Sequence, residues 1–507
     1  MNIKQAKVEI KNTVLAYLLK NEMGEYEIPS IRQRPMLLIG PPGIGKTQIM
    51  EQVARECKIG LVSYTITHHT RQSAVGLPFI KEKEYQGEQY SVTEYTMSEI
   101  ISSVYETMEE TGLREGILFI DEINCVSETL APTMLQFLQC KTFGNQKIPE
   151  GWIIVAAGNP PEYNKSVREF DMVTLDRVRM MEIEPDFTIW KQYAREKHVD
   201  NAILSYLELR PQNFYRVETD VDGMHFVTAR GWEDFSHLLH VYEKLHIPIE
   251  ESTILEFLQH EEVAKDMAAY LELYEKYKDQ YGIMDILQGN TKPKAYEQIY
   301  RASFDERLSV VNLLLSGLSV SFCKVASEKY ITDQWYAFLK RYRTRLELEE
   351  KPERLYALMC EEQKEDFQKK KKAGLYTREE IQLQNQWQRY LQESEPANVT
   401  DKENYFEEAR MGFEKQRQKL EKEEDAAMEA LEHAFDFVEH AFENGQELVV
   451  FVTELTLNPD AAAFLADNEC PRYHTYNQEL LVGSKRAELL SELAVGNIRE
   501  QEHSREL

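Results

Sequence analysis

The chain has 507 residues, 42% of them hydrophobic, and a formal net charge of −28. That length asks for two to four domains with buried cores and excludes a disordered chain. The charge disfavours sequence-independent binding to nucleic acid, which needs a basic face. The cysteines Cys57, Cys125, Cys140, Cys323, Cys360 and Cys470 contain no Cys-x-x-Cys pair. They read as buried free thiols of a reducing compartment, not as a zinc knuckle or redox motif.

Met1–Leu19 mixes Lys4, Lys7 and Lys11 with apolar residues, a helical pattern without the apolar core of a signal peptide. The apolar runs Met36–Ile39, Gly60–Thr65, Ile117–Ile120 and Trp152–Ala157 read as buried strands with helices between them. This is the signature of a parallel sheet covered on both faces. Phe79–Thr93 and Thr142–Trp152, the latter with Gly144-Asn145, read as hairpins. Beyond Pro185 no strand is expected until Leu448–Thr453. Phe187–His198, Asn201–Leu209, Gly231–Leu245 and Glu250–Tyr281 read as helices.

Val310–Phe322 is near-apolar but is interrupted by Asn312, Ser316, Gly317, Ser319 and Ser321, short of the ~20 residues of a membrane span. The protein is therefore expected in the cytoplasm. Lys340–Asn444 is dense in charge. Its later part has Ala427, Leu431, Ala434, Phe435, Val438 and Phe442 at helical spacing, with Phe406, Phe413 and Leu420 upstream. A helical arm and a solvated two-helix unit both fit this pattern. The expected division is 1–186, 187–300, 301–445 and 446–507: a parallel-sheet α/β core, a helical segment, a helical extension with a candidate coiled arm, and a small C-terminal α/β segment.

Gly40-Pro41-Pro42-Gly43-Ile44-Gly45-Lys46-Thr47 has the spacing of a phosphate-binding loop. Its glycines let successive N–H groups curl toward phosphate, and the helix that follows adds the positive end of its dipole. Lys46 brings a mobile cation to the β- and γ-phosphates, and Thr47 offers a hydroxyl to Mg²⁺. The apolar strand before Asp121-Glu122 delivers two carboxylates to the same sheet edge. Asp121 suits the water shell of Mg²⁺, and Glu122 suits a general base.

Gly40–Thr47 and Ile117–Glu122 resemble the Walker A and Walker B motifs of AAA+ ATPases. The resemblance implies the α/β fold of a P-loop AAA+ core, ATP and Mg²⁺ as cofactors, and ATP hydrolysis. It makes Asn159 similar to the sensor 1 residue and Arg230 similar to the sensor 2 arginine. Arg177 resembles the arginine finger that reaches the next subunit's γ-phosphate, with Arg179 as the rival because Val178 departs from the usual Leu-Asp-Arg-Phe run. The two hairpins are similar to those of the helix-2-insert group. Gly116–Asn164, with Asp-Glu-Ile-Asn at 121–124, looks most like the MoxR branch.

The resemblance covers roughly Arg34–Leu245. It implies a homo-oligomeric ring, usually a hexamer, that acts as a chaperone or assembly factor on protein clients, often ones with a von Willebrand factor A domain. This chain lacks that domain's Asp-x-Ser-x-Ser motif, so such a domain would be on another chain. A nucleic-acid motor using Lys369–Lys372 and a nucleotide-gated scaffold are the alternatives. The first is disfavoured by charge, the second by the joint presence of Glu122, Asn159 and Arg177. His68-His69 lack a third ligand at metal spacing and read as structural.

Overall fold

The computed structural model describes residues 1–481, apart from 69–71, 73, 75, 144–145, 164–166, 168–169, 220–222, 348–350, 397–400 and 444. The chain forms two compact units. The first comprises 1–190, 214–234 and 354–393, and the second comprises 191–213, 235–353 and the chain from 394 onward.

The first unit is built on a parallel sheet of β1 (Met36–Ile39), β2 (Gly60–Thr65), β5 (Gly116–Asp121), β8 (Trp152–Gly158) and β9 (Arg179–Glu182), in the order β2-β5-β8-β1-β9. The central strands β1, β5 and β8 are near-continuous apolar runs because both of their faces are covered, whereas the outer strands β2 and β9 carry polar residues. Leu118, Ile120, Ile154 and Ala156 point into one core. Ile117, Phe119, Ile153 and Val155 point into the other, with α1 (Ile3–Leu18) and α2 (Lys46–Cys57). The register pairs Ile39 with Gly158 and Ile120 with Ala156, so the carboxyl ends of β1, β5 and β8 finish at one edge.

Both expected hairpins are present: β3 (Pro78–Tyr85) with β4 (Glu88–Tyr95), and the short β6 (Thr142–Phe143) with β7 (Gln146–Lys147). Gly144-Asn145 lies outside the described residues. One hairpin was not expected, β10 (Arg216–Thr219) with β11 (Met224–Val227), which corrects the strand-free reading of the region after Pro185. Its strands have four residues each, too few to give a readable alternation.

The second unit is helical among its described residues. The expected helix over 250–281 is two helices, Glu251–Leu258 and Glu261–Tyr281, broken at Gln259 with φ +40°. The 43-residue helix Phe304–Leu346 and the 41-residue helix Lys402–Phe442 pack along each other. The expected stripe Ala427–Phe442 is buried. Upstream the seam runs through Tyr405, Ala409 and Gln416, with Phe406, Phe413 and Leu420 half-buried at its edge.

By length and composition alone Phe304–Leu346 would be long and apolar enough to cross a membrane, but 56% of its apolar window is buried inside the protein, as in a core helix. The polar residues do not interrupt the helix. Val310, Leu314, Leu318 and Phe322 are in the core, and Gly317 admits the side chain of Leu287. Leu448–Thr453, expected as a strand, lies inside the helix Gln446–Leu457. Leu448, Phe451, Val452 and Leu455 are buried at helical spacing there, and this packing overrides the β-propensity of the three valines.

Candidate active site

Gly40–Thr47 connects the end of β1 to the start of α2. Gly43 and Gly45 have φ of +73° and +91°, conformations that L side chains rarely adopt. A Cβ on Gly43 would lie 2.9 Å from Thr228, and one on Gly40 would lie 2.7 Å from the carbonyl oxygen of Ile183. These glycines therefore hold both the curl of the loop and the close approach of its neighbours.

Lys46 is buried, and its Nζ donates to the carbonyl oxygens of Gly40 at 2.7 Å and Pro41 at 2.8 Å and to Oδ1 of Asn159 at 3.0 Å. Burial pushes its amine down to about 8, against the opposing pull of Asp121 and with a further push from Arg230. Thr47 Oγ1 donates to Asp121 Oδ2 at 2.9 Å, which joins the loop to the end of β5. The other oxygen of Asp121 accepts the backbone N–H of Glu122 at 2.9 Å.

Glu122 sits just past β5 at φ +57°. A carboxylate-bearing residue in that conformation is uncommon and marks a place where the surroundings fix the backbone. Its Oε2 accepts from Thr67 Oγ1 at 2.8 Å. Thr67 was not singled out from sequence. The pairing of Thr65 with Asp121 carries the chain beyond β2 directly beside Glu122, and only that register shows it.

Asn159 is held at the end of β8 by Asn124. Asn124 Nδ2 donates to the backbone oxygen of Asn159 at 2.8 Å, and its Oδ1 accepts the Asn159 N–H at 3.3 Å. Gly158 makes room for this clamp, since a Cβ there would collide with the Asn124 amide. The Asp-Glu-Ile-Asn run thus ends on a residue that positions Asn159.

Arg230 stands at the start of the helix Ala229–Leu245, and its backbone N–H donates to the Gly43 carbonyl at 3.1 Å. Gln48 Nε2 donates to Glu233 at 3.3 Å, and Tyr215 OH donates to the Pro42 carbonyl at 3.0 Å. Residues 214–234 therefore cover the loop. Tyr215 and Thr228 join the site as residues that spacing alone does not reveal.

Arg177 is not brought to the loop; it is exposed and donates to Gln139. Arg179 is tied back to α1, donating to Thr13 Oγ1 at 2.7 Å and to Glu9. His69 lies outside the described residues, and of His68 only the backbone is described.

The curled glycines, the buried ammonium of Lys46 and the Thr47–Asp121 pair fit a nucleotide triphosphate with its metal. Lys46 and the loop N–H groups would hold the phosphates, with Thr47 and Asp121 on the metal side. Residues 36–174 match the family model described as ATPase family associated with various cellular activities (AAA). Together with the parallel-sheet core, the match supports an AAA+ ATPase. No curated protein matches the chain.

Proposed function

We propose that this protein is a MoxR-like AAA+ motor that hydrolyses ATP at the Gly40–Thr47 edge and couples it to work on protein partners. The observation that carries the reading is the convergence of Lys46, Thr47, Asp121, Glu122 and Asn159 from three parallel strand ends. Each is linked to another by a hydrogen bond.

Mg²⁺, when bound, neutralises charge on the β- and γ-phosphates. Glu122 takes the proton of the attacking water, and Thr67 fixes the direction of its carboxylate. Asn159, clamped by Asn124, orients that water, and Lys46 exchanges its carbonyl partners for phosphate oxygens. Arg230 lies close enough to depress the Lys46 amine and serves as the positive group on the lid side.

Arg177 is the trans-acting finger in a homo-oligomeric, hexameric ring. Its exposure supports that role, and the internal pairing of Arg179 argues against the rival. Protein clients, among them von Willebrand factor A domain proteins on separate chains, suit the acidic surface, as does a place in the cytoplasm.

Glu122→Gln keeps the shape but cannot accept a proton. It should bind ATP as the wild type does and lose roughly 10²–10⁴-fold in turnover. Hydrolysis within a few fold of wild type would remove Glu122 as the base and the proposal with it.

A further inference from the structure

The second unit brings together three donors of metal-ligating type from three separate segments: His198, Cys323 and Asp460. His198 follows the helix Phe187–Glu196 at φ +52°, in a turn closed by its own N–H donating to Arg195 and that of Val199 donating to Ala194. Cys323 lies within the long helix Phe304–Leu346, and Asp460 lies in the first turn of the helix Pro459–Asp467.

The helix Pro459–Asp467 is pinned where it begins. Asn458 caps it by accepting from Asp460 and Ala461, and its Nδ2 donates to Ser319 Oγ at 3.3 Å, one turn before Cys323. The rings of Phe322 and Phe464, 4.8 Å apart and tilted by 33°, hold the same two helices together. The donors are thus placed by packing that does not depend on them.

Cys323 Sγ is 3.7 Å from His198 Nδ1 and 3.1 Å from Asp460 Oδ2, and His198 Nδ1 is 3.8 Å from that same oxygen. The donor-to-donor edges of a tetrahedral zinc site are roughly 3.3–3.6 Å, from bonds of about 2.0–2.3 Å. A triangle with the observed sides has a circumscribed radius of about 2.1 Å. A point at bonding distance from all three donors therefore exists with almost no movement of any of them.

The charge also closes. A divalent ion with a thiolate, a carboxylate and a neutral imidazole is neutral, as a half-buried position requires. The donor set of sulfur, nitrogen and one oxygen suits zinc and disfavours Mg²⁺ and Ca²⁺, which take oxygen. His198 and Cys323 also line a cavity of about 560 Å³, shared with Asp200, His240 and Lys278, which leaves room for a fourth, non-protein ligand.

We propose that His198, Cys323 and Asp460 form a three-ligand zinc site with an open position, independent of the nucleotide site. The ordinary alternative is a thiol that donates to a carboxylate beside a surface histidine. The two are separated by titrating the chelator-stripped full chain with Zn²⁺ against a chromophoric chelator, and with Co²⁺ followed by absorption.

The site predicts one zinc per chain at sub-micromolar affinity. Cobalt should give the intense visible d–d bands of a tetrahedral ion and a near-ultraviolet thiolate charge-transfer band. Cys323→Ser should abolish the charge-transfer band, and Asp460→Asn should weaken zinc on the order of 100-fold. His68→Ala should leave zinc binding unchanged. Failure of the wild-type chain to bind zinc stoichiometrically, or a cobalt spectrum without a thiolate band, overturns the proposal whether or not the variants fold. Equal zinc affinity in well-folded Cys323→Ser does the same.

Discussion

Lys46→Met tests the site through its electrostatics before any nucleotide is added. In the folded chain burial holds the Lys46 amine at about 8, against 10.5 in the unfolded chain. At pH 7 that difference is about 3 kcal/mol of unfavourable charge burial, an order-of-magnitude figure. The three hydrogen bonds made by Nζ, each worth about 1 kcal/mol, oppose it. Lys46→Met should therefore unfold at nearly the wild-type denaturant midpoint at pH 7.

The pH dependence is sharper. Between pH 8 and 10.5 the unfolded chain binds the proton that the folded chain has released, so stability rises with pH in the wild type. The full cost is present below pH 8. Lys141, also held at about 8 by burial, produces the same trend in both proteins and cancels in the comparison. The wild-type advantage over Lys46→Met should grow by about 2 kcal/mol from pH 7 to pH 10, read by urea unfolding. ATP at 100 times its Kd should add about 2.7 kcal/mol to the wild type at pH 7 and nothing to the variant. A wild-type advantage that is flat across pH, or equal stabilisation of both proteins by ATP, would refute the buried, phosphate-facing lysine.

Thr67→Val removes the hydroxyl that holds Glu122. Turnover should fall about ten-fold with ATP affinity unchanged, and Thr67→Ser should restore it; a matching loss in Thr67→Ser would place the residue outside the site. Arg177→Ala should leave stability and ATP binding intact and cut turnover by roughly 10³–10⁵-fold. Mixing it with Lys46→Ala subunits should recover activity that rises with protein concentration, and a mixture as inactive as either parent despite proven subunit exchange would end the trans assignment. Arg179→Ala should instead cost stability, about 1–2 kcal/mol, because it breaks the bonds to Thr13 and Glu9. Equal loss of turnover at unchanged stability would reverse the choice of finger.

The parts of the site that were legible in the sequence are those whose chemistry is local. A phosphate loop must carry its glycines, Lys46 and Thr47 within a few residues, and Asp121 and Glu122 must follow a buried strand. Thr67 and Tyr215 escaped because they act on residues 55 and 173 positions away, and Asn124 was legible only as part of a motif, its hold on Asn159 lying 35 positions on. Arg177 and Arg179 are two residues apart with like chemistry, and the sequence ranks Arg177 first only through the resemblance. The partners of Arg179 on the first helix and the exposure of Arg177 were not readable from it.

One misread element shows why local pattern fails. Leu448–Thr453 is an apolar run that suits a buried strand or a buried helix equally until its neighbours are known. Glu447, Leu448, Phe451 and Leu455 are buried on one side of the helix, whereas a strand would have split them between two faces. The same dependence on distant segments hides the His198, Cys323 and Asp460 cluster. Its members are separated by 125 and 137 residues, so no spacing rule could have linked them. In the proposed nucleotide site the loop would supply phosphate contacts from one short run of sequence, with tertiary structure adding orientation. In the zinc site every ligand comes from a different segment, so the ion would tie together three elements that the chain connects only through long detours. Removing it should therefore loosen the second unit without altering the loop at Gly40–Thr47, which is why metal content and ATP binding are separable measurements on the same protein.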